Sequence, residues 1–263
     1  MTEKGPIGLF DSGLGGLTVV RALIDLVPNE SLIYFGDTGR FPYGPKPPNE
    51  VREYAQQIGD LLVERGVRAV VVACNSAAAA ALNDLQTRLP VPVIGVIEPG
   101  VKAALAATKT GRVGVIGTEG TIASHAYTKT AAALSPKVEI FAQSCPGFVE
   151  FVEAGDVDSP ELYQLAQEHL APIKAANVDV LVLGCTHYPL LASTLSSVMG
   201  PQVAVISSAQ ATARAISAIE PRSEPDGTPT RHFITSGDPN TFHALATRFL
   251  GSEINDVEEH SWS

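Results

Sequence analysis

Two stretches far apart in this 263-residue chain read as copies of one another, and each ends on a cysteine. From Val67 the sequence runs VRAVVVACNS and from Val178 it runs VDVLVLGCTH, so each cysteine follows seven residues after its valine. A polar pair stands behind each one: Asn75 and Ser76 after Cys74, Thr186 and His187 after Cys185. The chain has only three cysteines, and two of them occupy equivalent places in a repeat. Such a chain is expected to fold as two related halves that present opposed thiols to one shared cleft. That geometry suits removal of a proton from one face of a carbon and delivery of a proton to the other.

The repeat reaches beyond the cysteines. GLFDSG from Gly8 can be laid on GVIGTEG from Gly114, each an apolar run entering a Gly-containing turn before a helix-like segment. Nine strand candidates cover residues 6–10, 31–37, 69–74, 91–96, 112–117, 138–144, 179–185, 202–207 and 231–237. Nearly all are continuous apolar runs, the pattern of strands covered by helices on both faces. Between most of them lie Ala/Leu-rich helical segments, among them 16–27, 49–66, 76–89, 121–135, 159–176 and 207–220. Strand followed by helix predicts an α/β fold of two similar domains, each a mostly parallel sheet flanked by helices, with the active site in the cleft between them. The expected domains are 1–97, completed by 208–263, and 98–207. The Pro/Gly-rich stretch from Glu220 to Pro229 reads as an exposed loop.

Composition narrows the function classes. With 28 acidic against 18 basic residues the formal charge is −10, and no Lys/Arg cluster interrupts it, which disfavours nucleic acid and anionic membranes as primary partners. The apolar stretch from Ala69 to Leu82 is broken by Asn75 and Ser76 and is shorter than the ~18 residues of a membrane helix. No secretion signal is read at the start, and three cysteines suit a reducing compartment better than a disulfide framework, so a cytoplasmic location is expected.

In parallel α/β sheets ligands sit beyond the carboxyl ends of the strands, where helix N-termini offer free N–H groups. Asp11 and Ser12, Asn75 and Ser76, Thr118 and Thr121, and Thr186 and His187 all fall at such ends, which suits a small carboxylate ligand. Each has a plainer reading. A cysteine closing a buried strand is ordinarily an inert small hydrophobe, and Asp11 with Ser12 could simply cap a helix. Duplication of the cysteine and its polar pair reverses that balance. Cys145, in QSCPGF, has no copy and reads as structural. No metal site is expected, because the cysteines lack close pairing and only His187 is nearby. The GLGG turn fits neither the dinucleotide fingerprint nor a P-loop.

FDSGLGGLTV, GDTGRFPYG, ACNSA, GVIGTEGTIAS, LGCTHYPLL and ITSGD resemble, in order and spacing, the motifs of the cofactor-independent glutamate racemases. The resemblance spans nearly the whole chain. It implies interconversion of L- and D-glutamate without cofactor, D-glutamate for bacterial peptidoglycan, and a homodimer. By the same resemblance Cys74 and Cys185 are the catalytic thiols, assisted by Asp11 and His187, with Glu153 an acidic residue near the second thiol. Asp11 with Ser12, Tyr43 with Gly44, Asn75 with Ser76, and Thr186 with His187 match the substrate-binding pairs, and Thr121 joins them. Ser76 departs from the usual threonine, which implies a slightly roomier pocket.

Without an electron sink, the carbanion must be stabilised by preorganised donors in a dry cleft, while one sulfur is deprotonated and the other protonated. Two other classes stay open: a cysteine hydrolase using Cys185 with His187, and a two-lobed amino-acid sensor without catalysis. A racemase of another acidic amino acid, such as aspartate, is the nearest alternative.

Overall fold

Ten strands, all paired in parallel, form two sheets in a computed structural model that describes residues 5–219, 229–254 and 256–262. The first half supplies β1 (Ile7–Asp11), β2 (Leu32–Gly36), β3 (Ala69–Val72) and β4 (Val93–Gly95). The second supplies β5 (Arg112–Gly117), β6 (Glu139–Ser144), β7 (Val180–Gly184) and β8 (Ala204–Ser207). The chain then returns to the first sheet with β9 (Arg231–Thr235) and β10 (Val257–Glu259), giving the orders β10-β9-β2-β1-β3-β4 and β6-β5-β7-β8.

The first four strands and the next four thus repeat one order. GLFDSG and GVIGTEG lie on β1 and β5, and the two cysteine segments lie on β3 and β7. In both sheets these strands are direct neighbours, with Phe10 opposite Val72 and Gly117 opposite Gly184. The central strands β1, β3 and β7 are buried along their whole length, as their unbroken apolar runs require; β6 and β8, at the edges of the second sheet, are only partly buried.

One apolar core fills the first half and continues into the second through Val113, Val115, Tyr127, Val180 and Val182. Helices Ile97–Ala107 and Ser208–Ser217 add Val101, Ala104, Ala209 and Ala213 to it. A separate cluster on the far face of the second sheet holds Ile116, Leu181, Leu183, Phe148 and Tyr188. A shared apolar core fixes the walls of the cleft relative to one another, because close-packed interiors transmit displacement rather than absorbing it.

Several elements depart from the sequence expectations. The segment 121–135 is not one helix but two, Glu119–Ala123 and Ala126–Leu134, interrupted at His125, whose φ is 57°. Helix Ile97–Ala107 was hidden by Pro99 and Gly100, yet a proline in the first helical turn removes an N–H that has no intrahelical partner anyway. Helix Pro239–Leu250 likewise begins on a proline, with the Asp238 carboxylate accepting from the Thr241 N–H at 2.6 Å. Helices Phe148–Glu153 and Ala192–Met199 and strand β10 are too short for periodicity to register. The loop expected at 220–229 lies, save for Pro229, outside the described residues. Among the described residues no helix is long and apolar enough to cross a membrane.

Candidate active site

The strand pairs β1/β3 and β5/β7 create one switch point in each sheet, where the chain leaves neighbouring strands in opposite directions and a crevice opens. Asp11 closes β1, and Cys74 follows β3 as the N-cap of helix Asn75–Arg88. The Cys74 sulfur accepts the Ala77 N–H at 3.5 Å and lies 3.8 Å from Ser12 Oγ. Cys185 directly follows β7, with its sulfur 3.9 Å from Nδ1 of His187. Nε2 of His187 sits 2.7 Å from a carboxylate oxygen of Glu153, at the end of helix Phe148–Glu153.

Polar contacts tie the two halves together around this crevice. Thr186 Oγ1 donates to Asp11 at 3.3 Å, and Asn75 Nδ2 donates to the Tyr127 hydroxyl at 2.8 Å. Ser76 Oγ lies 3.0 Å from Thr118 Oγ1 and 3.3 Å from Thr121 Oγ1. The Phe41 ring, joined to Pro42 by a cis peptide bond, packs against His187 with centroids 5.9 Å apart. Gly15, from the GLGG turn, allows closest approach: a Cβ there would fall 2.5 Å from His187 Nδ1 and against Thr186 Oγ1. Gly15 is thus needed for contact between the halves, which a phosphate-loop comparison could not reveal.

Cys74 and Cys185 line one cavity of about 210 Å³. Ser12, Tyr43, Gly44, Asn75, Ser76, Thr186, His187 and Glu153 line it too. Of the residues singled out in the sequence, Asp11 and Thr121 stand behind the wall, both buried and bonded to residues that form it. Cys145, read as structural, is buried and also lines the cavity. It follows the last residue of β6, but it has no copy, so the duplication that singled out the other two cysteines passed it over. Phe41, Pro42 and Glu150 were missed as well; they sit on turns and a short helix with no strand-end signal. A larger cavity of about 610 Å³ lies between helices Leu17–Leu26, Ser208–Ser217 and Pro239–Leu250, but neither thiol lines it. Among the described residues no group of three His, Cys, Asp or Glu side chains is spaced to hold a metal ion.

The charges are unevenly distributed. Burial, then the Asp11 carboxylate, pushes the Cys74 thiol well above its ordinary value, outweighing the Ala77 N–H and the Ser12 contacts. Cys145 is pushed up to about 12, by burial and then by Cys185. For His187 burial pulls downward, but hydrogen bonds to Cys185 and Glu153 and the negative charges of Cys185 and Asp11 win, holding it at about 10. The imidazole is therefore cationic at neutral pH.

The sequence pattern of the Asp/Glu/Hydantoin racemase family matches residues 7–216 of this chain. The chain belongs to that family. It is 51% identical over 261 residues to the glutamate racemase of Corynebacterium diphtheriae, covering 98% of each chain. The fold superposes on a glutamate racemase isoform of Bacillus anthracis with a TM-score of 0.93 at 39% identity, covering 100% of this chain and 98% of that one. For the glutamate racemase of Francisella tularensis, solved in complex with D-glutamate, the TM-score is 0.92 at 32% identity, covering 99% and 98%. As a member of the Asp/Glu/Hydantoin racemase family, this α/β protein is a racemase, an isomerase whose two parallel sheets carry the family architecture.

Proposed function

We propose that this racemase interconverts L- and D-glutamate by proton transfer between two thiols, Cys74 on one side of the bound amino acid and Cys185 on the other. The observation that carries the reading is that both thiols, each from one copy of the repeat, line the same small cavity. Relatives at about half identity over the full chain favour glutamate over aspartate.

In the proposed cycle one thiolate removes the α-proton and the opposite thiol returns a proton to the other face; the roles exchange in the reverse reaction. At neutral pH Cys74 is the sulfur that keeps its proton, because burial and Asp11 both disfavour its thiolate. Cys185 is the sulfur with a cation within reach, the His187 imidazolium at 3.9 Å. Cys74 is thus poised as the acid of the first transfer, with His187 placed to assist Cys185. Helix Asn75–Arg88 begins beside the cavity, and its first N–H groups, with the hydroxyls of Ser76 and Thr186, can stabilise negative charge developing on the substrate carboxylate. The Asn75 Oδ1 atom is buried without a hydrogen-bond partner among the described residues and would accept from the substrate ammonium.

The same reading includes a first domain of residues 1–97 completed by 208–263 and a second of 98–207, supported by return of β9 and β10 to the first sheet. It also includes a cytoplasmic enzyme that supplies D-glutamate for peptidoglycan and works as a homodimer, the latter checked by light scattering in solution.

One observation favours a second reading. Cys185, His187 and Glu153 form a thiol–imidazole–carboxylate series, the constellation of a cysteine hydrolase. Acyl transfer needs one thiol and leaves Cys74 without a task. Incubation with L-glutamate in deuterated water separates the two: a racemase exchanges the α-proton and abolishes optical rotation, whereas a hydrolase releases a new product.

A further inference from the structure

Asp37, just past β2, is completely buried, and its carboxylate accepts hydrogen bonds from four side chains on three segments of the chain. Arg40 Nε donates at 2.7 Å and Ser236 Oγ at 2.6 Å. The Tyr43 hydroxyl donates to the same oxygen as Arg40, and the indole N–H of Trp262 reaches the other oxygen at 3.2 Å. Trp262 also packs on Phe35, with centroids 5.4 Å apart, and on His260 at 4.4 Å. The Arg40 guanidinium is sandwiched between the rings of Tyr54 and Trp262, 4.0 and 4.1 Å from their centroids. Strand β10 delivers Trp262 to this place: it pairs with β9, the His260 N–H donates to the Thr235 carbonyl at 2.8 Å, and Glu258 is held by Arg65 and His232.

Trp262, Asp37 and Arg40 lie outside the cavity, but Tyr43, bonded to the same Asp37 carboxylate, lines it. Tyr43 and the neighbouring Phe41, Pro42 and Gly44 form one wall. The Gly44 carbonyl accepts the Gly120 N–H of the other half at 3.1 Å, and Phe41 rests on His187. We infer that Trp262 is a positioning residue for this wall, acting through Asp37 and Arg40 without touching the substrate.

The physical basis is orientation. A buried carboxylate must be paired, and Arg40 alone satisfies the charge. The remaining donors fix which way each carboxylate oxygen faces, and with it the Tyr43 hydroxyl. Removing Trp262 leaves the ion pair intact, so the fold persists, but it takes one of the two donors from Asp37 Oδ1, leaving Ser236 alone there, and uncovers one face of Arg40. Loss of a single such contact corresponds to a ~3–10-fold weakening of whatever the wall holds. Substrate affinity should suffer, and the thiol chemistry much less.

The inference rests on the glutamate reading above, and the experiment separates the two. Racemisation of both enantiomers is measured for the wild-type, Trp262→Ala and Trp262→Phe enzymes, with melting temperature recorded for each. Because Trp262 is the single tryptophan of the chain, its fluorescence in the wild-type protein is also followed during titration with D-glutamate. Expected are a ~3–10-fold rise in KM for Trp262→Ala with kcat within about twofold, a smaller rise for Trp262→Phe, which keeps the stack and loses the donor, and a saturable fluorescence change with a midpoint near KM. Unchanged KM in a folded Trp262→Ala enzyme, or a fall confined to kcat, would overturn the positioning role while leaving the racemase reading intact. If Trp262→Ala does not fold, Trp262→Phe and the wild-type titration decide alone. A wild-type enzyme that turns over glutamate with no fluorescence response would count against the positioning role, and one that does not turn it over overturns both.

Discussion

Nε2 of His187 lies 2.7 Å from Glu153, while Nδ1 of the same ring lies 3.9 Å from the Cys185 sulfur, so one imidazole bridges a carboxylate and a thiol in a nearly dry site. Burial alone would discharge this ring, and its held value of about 10 depends on both partners. Replacing Glu153 with Gln should lower that value, move the alkaline limb of the pH–rate profile toward neutrality and reduce kcat by about 10-fold. Initial rates from about pH 6 to about pH 11 check this.

The same ring ties stability to pH. A group whose folded value is raised contributes stability that is fully present below its ordinary value of about 6.5 and lost as pH rises through about 10. The wild-type protein should therefore lose stability across that interval, and Glu153→Gln should lose less of it over the same range. Urea denaturation at a series of pH values reads the difference.

Gly15 meets Thr186 and His187 with no room for a methyl group. Gly15→Ala should displace the turn that follows Cys185, costing about 1–3 kcal/mol of stability. A shift of that kind in the reacting geometry should lower kcat/KM by about 100-fold. Thermal melts together with kinetics test whether the loss of activity exceeds the loss of fold.

Much of this arrangement was legible in the chain itself, and the exceptions are physical. The duplicated Cys74 and Cys185 segments fall on β3 and β7, equivalent strands of sheets with one repeated order, because buried parallel strands impose unbroken apolar runs that a repeat makes conspicuous. The shared cavity was legible for the same reason: polar pairs at strand ends face the crevice. Cys145 was set aside because it has no copy, although it too follows a strand. Asp11 was singled out at the end of β1, and the structure places it behind the cavity wall, since only packing decides which residues beside Ser12 meet the cavity. Helix Ile97–Ala107 was masked by Pro99, and the Asp37–Trp262 contact, spanning most of the chain, has no local signature at all.

Each thiol should be indispensable. Cys74→Ser and Cys185→Ser should each lower racemisation by at least ~10³-fold, since a serine hydroxyl ionises far less readily than a thiol. Near-wild-type turnover in either variant, with its fold intact by circular dichroism, would eliminate a scheme that needs both.

The most direct test of two opposed bases follows the isotope at the α-carbon during the first turnovers in deuterated water. Starting from protiated L-glutamate, proton delivery by a second, solvent-exchanged thiol predicts that the earliest D-glutamate carries deuterium while the remaining L-glutamate stays protiated. Early D-glutamate that retains the substrate's own proton would mean that a single group serves both faces, and would contradict the account.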